Sequence, residues 1–137
     1  MILVDTNVIV DVLKMQPKWF DWSRPALEEA QLRDTTVTSP IVAAELARYG
    51  ETAAELEAVL GRARLELVPF GIEAAHRAGR AYVAYRRAGG SRETILADLL
   101  IGGHAAALGA AVLTRDPRRF RAYFPDLELI APEAENG

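Results

Sequence analysis

The chain opens with the segment MILVDTNVIVDVL, residues 1–13, and this segment indicates a parallel α/β fold. Ile2–Val4 form a short apolar run typical of a strand that is buried on both faces. The residues from Val8 to Lys14 have helical spacing and follow that strand directly. Asp5 lies between the two elements, at the carboxyl edge of the predicted sheet. Because such folds place their ligand sites at this edge, Asp5 is the first candidate site residue.

Short apolar strands alternate with helices along the remainder of the chain. The further predicted strands cover residues 35–38, 65–68, 111–114 and 127–130, and the further helices cover 23–32, 41–48, 52–61, 72–87, 95–108 and 118–123. This alternation predicts a mostly parallel sheet covered by helices on both faces. The length of 137 residues matches the usual size of one domain, so we expect a single domain over residues 1–137.

The composition excludes several classes of protein. The chain has no cysteine, which excludes disulfides and cysteine-based zinc sites. No stretch is long and apolar enough to cross a membrane, and we expect a cytoplasmic protein without a membrane partner. The net charge of -3 argues against indiscriminate binding to nucleic acid, although four arginines are crowded around Asp116.

Three more isolated acids recur near the predicted carboxyl edge of the sheet: Glu45, Asp98 and Asp116. Glu45 shares a helix face with apolar residues. Asp98 lies in a helix that is apolar nearly all round, where a lone ionised carboxylate is costly unless a partner compensates its charge. Asp116 follows the strand at 111–114. Converging carboxylates repel one another unless a cation joins them, and hard cations such as Mg²⁺ or Mn²⁺ prefer oxygen ligands.

Each of the four acids also has a purely structural interpretation, which for Glu45 is a surface pair with Arg48, three residues later. Asp5 can cap the first helix, although Thr6 or Asn7 can fill that role and leave Asp5 free. Asp98 can be a structural residue paired with an arginine. Asp116, which is followed by a proline, has the pattern of an N-cap for the helix after it.

Four segments together resemble the PIN-domain ribonucleases, and most closely the VapC-like toxins of bacterial and archaeal toxin-antitoxin pairs. In chain order they are MILVDTNVIVDVL at 1–13, SPIVAAEL at 39–46, ADLLIGGHAAALGA at 97–110 and VLTRDPRRF at 112–120. The resemblance implies a PIN-like three-layer α/β/α sandwich with a mostly parallel sheet of about five strands. His104 departs from the family, in which a small residue is more usual. It lies about 120° around its helix from Asp98, so we expect it to pack or to lie at the surface, and not to bind metal.

The resemblance also implies a metal-dependent endoribonuclease that cleaves RNA phosphodiester bonds. The acids that fall on the quartet holding Mg²⁺ or Mn²⁺ are Asp5, Glu45, Asp98 and Asp116. The residues that fall on supporting polar positions are Asn7 and Thr114. Arg115 is the arginine that we assign to a substrate phosphate. The expected partners are the RNA substrate, a small cognate antitoxin and a second copy of the chain in a homodimer.

Other metal-binding folds fit the residues less well. Haloacid-dehalogenase-like phosphatases need a second aspartate two places after the first, where this chain has Asn7. Response-regulator receivers need a lysine after a late strand, whereas the lysines here are Lys14 and Lys18. Two alternatives within the family stay open: a non-toxin RNA-processing nuclease, and an inactive PIN domain that serves as a binding module.

Overall fold

Five short strands form one parallel sheet in the computed structural model, which describes residues 1–133. The strands are β1 (Ile2–Val4), β2 (Thr36–Thr38), β3 (Glu66–Leu67), β4 (Ala111–Leu113) and β5 (Leu129–Ile130). Their order is β3-β2-β1-β4-β5, and every neighbouring pair is parallel. β1 is therefore the central strand, with Leu3 opposite both Val37 and Val112. Its three side chains are buried, as expected for a strand covered on both faces.

Seven helices accompany the sheet within the described residues: α1 (Thr6–Leu13), α2 (Phe20–Arg33), α3 (Pro40–Leu46), α4 (Ala53–Arg62), α5 (Ile72–Arg87), α6 (Ala97–Leu108) and α7 (Arg118–Tyr123). A short 3₁₀ turn, Ala47–Tyr49, extends α3. The architecture is the predicted three-layer α/β/α sandwich. The main core lies around β1, where Leu3, Val8, Ile101 and Val112 are buried.

Several predicted helix boundaries agree with the structure. α5 has the predicted limits, and Ser39 caps α3 by accepting a hydrogen bond from the Ile41 amide. α6 begins at Ala97, two residues later than predicted, and ends at Leu108. The next residue, Gly109, has a φ of 66°, the left-handed conformation that glycine adopts readily. Capping residues such as Ser39 and glycines such as Gly109 mark these helix ends in the local sequence, which explains the agreement.

The predicted start of α2 is wrong, and Asp116 does not cap α7. Pro25 was expected to open α2, but the helix begins at Phe20 and contains the proline. Backbone bonds from Phe20 to Gln16 and from Ser23 to Trp19 start the helix earlier, so Pro25 removes only one later bond. The structural alternative for Asp116, an N-cap of α7, is not found, because Pro117 occupies the cap position and no side chain caps that helix.

Two predictions concern the whole chain. None of the helices within residues 1–133 has the length and apolarity that a membrane span requires. The predicted domain covers residues 1–137, and its last four residues lie outside the described part of the chain.

Candidate functional site

A cavity of about 370 Å³ opens beside the carboxyl ends of β1 and β4. Three of the four predicted acids line it together with two arginines: Asp5, Glu45, Asp98, Arg115 and Arg119. The topology places these side chains at the same sheet edge, because Asp5 directly follows β1 and Arg115 lies two residues after β4. A larger cavity of about 770 Å³, beside α5 and the segment after α7, contains none of the predicted site residues.

Asp5 is buried and is held by two hydrogen bonds. Its Oδ1 accepts from the Thr6 amide at 2.8 Å, and its Oδ2 accepts from the Thr114 hydroxyl at 2.8 Å. Burial raises the pKa of Asp5 to about 6; the two hydrogen bonds oppose this rise, and the charges of Glu45 and Asp98 add to it. The expectation that Thr6 or Asn7 caps α1 in place of Asp5 is wrong, because both residues lie inside the helix and Asp5 occupies the cap.

Thr114 and Asn7 link Asp5 to the loop that follows β4. The Thr114 hydroxyl, which donates to Asp5, accepts from the Asn7 amide group at 3.3 Å and from the Asp116 backbone N–H at 3.1 Å. Asn7 Oδ1 in turn accepts from the Arg115 backbone N–H at 3.3 Å. The structure therefore brings both predicted supporting residues to Asp5.

Glu45 and Asp98 approach the cavity from α3 and α6. Glu45 is exposed, and its Oε1 accepts from the Thr6 hydroxyl at 2.8 Å. Asp98 Oδ2 accepts from Arg119 Nη1 at 3.0 Å, so the arginine pairing considered for this residue is present. Asp98 Oδ1 is buried and has no hydrogen-bond partner within residues 1–133. One oxygen of this carboxylate is thus left for another ligand.

Asp116 is the predicted acid that the structure does not bring to the cavity lining. Its two carboxylate oxygens accept from Arg118 at 3.0 and 3.1 Å. This hydrogen-bonded guanidinium lowers the pKa of Asp116. Because the Arg118 side chain is 86% exposed, water screens the pair and its contribution to stability is small.

The donor chemistry of the cavity fits a hard cation, although the side chains are not arranged around one. No group of three or more acidic or histidine side chains in the described chain is placed to hold a metal ion. Arginines supply the counter-charges for Asp98 and Asp116 instead. However, the ionisable side chains in the cavity lining that can coordinate a metal are all carboxylates. In addition, the buried Asp98 Oδ1 lacks the hydrogen bond that a buried oxygen normally makes. Asp5, Glu45 and Asp98 therefore fit Mg²⁺ or Mn²⁺ by donor type.

His104 packs in the interior, which is one of the two positions considered for it. Its Nε2 lies 2.8 Å from the Pro69 carbonyl oxygen, and its ring meets the Phe70 ring edge-on. Burial lowers the pKa of His104, which favours the neutral ring. His104 does not line the cavity that contains the acids.

A buried acid that was not predicted as a site residue contacts Arg115, one of the arginines that line the cavity. Asp11 on α1 is fully buried, and its Oδ2 accepts from the Ser23 hydroxyl at 2.7 Å and from Arg115 Nε at 2.8 Å. The argument that singled out Asp98, an acid among apolar helical neighbours, applies equally to Asp11. The sequence context of Asp11 was therefore sufficient to select it as a candidate residue.

Comparison with known proteins gives a consistent family. The family model for the PIN domain matches residues 2–124. VapBC2 from Rickettsia felis, solved with a DNA fragment from its promoter, is 26% identical with a TM-score of 0.73, and the match covers 96% of this chain and 98% of that one. VapBC-1 from nontypeable Haemophilus influenzae is 22% identical (TM-score 0.68; 96% and 98% covered).

FitAcB from Neisseria gonorrhoeae is 24% identical, with a TM-score of 0.65 and coverage of 95% of this chain and 96% of that one. At these identities, the Haemophilus and Neisseria structures show a common fold alone. No curated protein gives a significant match. The family match spans nearly the whole chain and includes all four predicted acids, which confirms the resemblance seen in the sequence. The chain therefore belongs to the PIN domain family.

Proposed function

We propose that this protein is a Mg²⁺- or Mn²⁺-dependent endoribonuclease and the toxin of a toxin-antitoxin pair. PIN domains are generally nucleases, and the family match covers residues 2–124. The observation that carries the proposal is the cavity at the sheet edge, where Asp5, Glu45 and Asp98 lie beside two arginines. A phosphodiester is an anion, so carboxylates alone would repel it, whereas carboxylates with a cation and arginines can bind it.

In this proposal the acids hold the ion and the arginines hold the substrate. A bound Mg²⁺ or Mn²⁺ supplies Lewis-acid polarisation of the phosphate and an activated water. Asp5 is the most firmly oriented acid, because the Thr6 amide and the Thr114 hydroxyl fix its two oxygens. Glu45 and Asp98 line the same cavity, and Asp116, which pairs with Arg118 outside the cavity lining, is proposed as the fourth acid.

The proposal includes protein partners. The 26% identical VapBC2 structure supports a small antitoxin for this chain, and we propose that a basic antitoxin side chain enters the acid-lined cavity in place of the metal. We also propose that residues 1–137 form a single domain and that the chain forms a homodimer. Exposed apolar side chains, such as Leu32 on α2 at 90%, support that contact.

The purified protein is expected to cleave single-stranded or loop RNA internally when Mg²⁺ or Mn²⁺ is present. Excess EDTA should abolish cleavage, and Ca²⁺ should support RNA binding better than turnover. Sequencing the new RNA ends detects the activity and locates the cut. Cleavage that persists in EDTA contradicts metal dependence, and the absence of cleavage in both metals supports the inactive binding module. An active nuclease without a neighbouring antitoxin reading frame supports the RNA-processing alternative.

Mg²⁺ is expected to raise the melting temperature of the wild-type protein and to raise that of Asp98→Asn much less. At a hundred times the dissociation constant, binding to the folded state adds about 2.7 kcal/mol to the unfolding free energy. The Asp98–Arg119 ion pair is partly exposed, so its loss alone should change stability by less than about 1 kcal/mol. The control is Glu57→Gln, which removes an exposed acid from α4. An equal Mg²⁺ response in wild type and Asp98→Asn would exclude Asp98 as a ligand.

A further inference from the structure

Asp11 is fully buried, and its burial needs an explanation. Oδ2 accepts from Ser23 and from Arg115, while Oδ1 has no hydrogen-bond partner in the described part of the chain. Removing an ionised carboxylate from water costs several kcal/mol, and a buried ion pair often stabilises a fold less than apolar residues of the same size. The Asp11–Arg115 pair is therefore poorly explained by stability alone.

Arg115 is held on one side and open on the other. Its Nε donates to Asp11, and its backbone N–H donates to Asn7. Its guanidinium carbon, Cζ, lies 5.3 Å from the centre of the Trp19 ring. Within residues 1–133 the terminal guanidinium nitrogens make no hydrogen bond, and the side chain, 31% exposed, lines the acidic cavity. Arginine has five N–H donors, and Nε uses one, so four remain for a ligand.

The partner of Arg115 distinguishes it from the neighbouring arginines. Arg118 and Arg119 pair with Asp116 and Asp98, two acids of the proposed metal centre. A cation bound by those acids competes with both arginines for the same oxygens. Arg115, in contrast, pairs with a buried acid that does not line the cavity. Its orientation is therefore independent of whether the acids carry metal.

We infer that Asp11 is a positioning residue, which with Ser23 orients Arg115 so that its terminal N–H groups bind a phosphate of the RNA in the cavity. The inference rests on the proposed function. A planar guanidinium binds phosphate oxygens through two parallel hydrogen bonds, a geometry that lysine lacks. Fixing the group in advance reduces the entropy lost when substrate binds. Asp11 thus acts on the RNA through Arg115, without contact of its own.

The test compares RNA binding by Asp11→Asn, Arg115→Ala and the double variant. Binding of a single-stranded RNA is measured in Ca²⁺, and KM and kcat are measured in Mg²⁺. Arg115→Ala should weaken binding about tenfold, as expected for a charged hydrogen bond, and should reduce the slope of log K against log salt by about 0.7. Asp11→Asn should weaken binding about three- to tenfold, mainly through KM. In the Arg115→Ala background Asp11→Asn should have no further effect.

The direction of the Asp11→Asn effect separates positioning from simple electrostatics. Removing a negative charge beside an arginine should tighten RNA binding if charge alone matters, whereas loss of positioning weakens it. Asp21→Asn is the matched control, because it removes an exposed acid from α2, and it should leave KM unchanged. Arg115→Lys keeps the charge without the planar group and should not restore binding. Thermal melts establish that each variant is folded at the assay temperature.

Several outcomes overturn the inference. Folded Asp11→Asn that binds RNA as tightly as wild type contradicts positioning, as does an equal loss in the Arg115→Ala background. If Asp11→Asn does not fold, Ser23→Ala replaces it, because it removes one hydrogen bond to the same carboxylate oxygen; an unchanged KM in that variant also contradicts the inference. Wild-type protein that neither binds nor cleaves RNA overturns the proposed function and this inference together. Wild-type cleavage with an unaffected Asp11→Asn overturns the inference alone.

Discussion

Asp5→Asn is expected to lower the rate of RNA cleavage in Mg²⁺ by at least about a hundredfold. Substituting even the outer residues of a metal site reduces metal affinity or activity about 10- to 100-fold, and Asp5 is proposed as a direct ligand. It is also the predicted acid that is most deeply buried and best fixed, through Thr6 and Thr114. Asparagine preserves the shape of the side chain and removes its charge, so the variant tests the chemistry and leaves the packing intact.

Single-turnover cleavage of one RNA oligonucleotide measures this effect. Asp21→Asn on the exposed surface of α2 is the control and should cleave at the wild-type rate. Thr114→Val should show an intermediate loss, because it removes the hydroxyl that orients Asp5. Undiminished cleavage by folded Asp5→Asn would mean that the assigned cavity is not the active site.

Asp5→Asn is also expected to stabilise the metal-free protein at pH 7 by about 1–3 kcal/mol. A pKa raised from 3.8 to about 6 means that the folded protein holds the Asp5 proton more tightly than the unfolded chain. The wild-type unfolding free energy therefore falls as the pH rises from about 4 to 6, by about 3 kcal/mol in total, and the penalty is complete above pH 6. The variant lacks this penalty, and one weakened hydrogen bond offsets part of its gain.

Denaturant unfolding in EDTA at pH 4, 5 and 7 measures the difference between wild type and Asp5→Asn. The stability advantage of the variant should be largest at pH 7 and should fall below about 1 kcal/mol near pH 4, where Asp5 is protonated in the folded protein and already partly protonated in the unfolded chain. Saturating Mg²⁺ at pH 7 should reverse the order, because the ion stabilises the folded wild type preferentially. A variant that is less stable at pH 7, or a difference that does not change with pH, would contradict the buried, charged Asp5 described here.

Local signals explain which parts of the fold were predicted correctly. The limits of α5 and α7 agree with the structure, because helical spacing and nearby breakers define them within a few residues. The strands lie where predicted, but β3 and β5 contain only two residues each. The length of each edge strand depends on how many residues pair with the neighbouring strand. Local sequence does not predict this number, because the neighbouring strand is distant in the sequence. The early start of α2 likewise depends on the turn before it, which outweighs the preference of Pro25.

Apolar sequence context identified the acids of the candidate site. Their hydrogen-bonding partners were missed because these partners are distant in the sequence. Asp5 and Asp98 were selected because an isolated charge among apolar residues requires a partner. The actual partners are side chains such as Arg119, 21 residues from Asp98, and Thr114, 109 residues from Asp5. Asp11 meets Arg115 across 104 residues, a separation that no helical or strand periodicity encodes. Sequence patterns therefore predict which residue needs a partner more reliably than which residue supplies it.

Calorimetric titration of Mn²⁺ into the metal-free protein tests whether the acid-lined cavity is a metal centre. We expect saturable binding to wild type, affinity reduced at least about tenfold in Asp5→Asn and in Asp98→Asn, and unchanged affinity in Asp21→Asn. Mg²⁺ added beforehand should compete for the site and reduce the heat that is measured on Mn²⁺ binding. Absence of saturable binding, or equal affinity in all four proteins, would contradict the assignment of this acid-lined cavity as the metal centre.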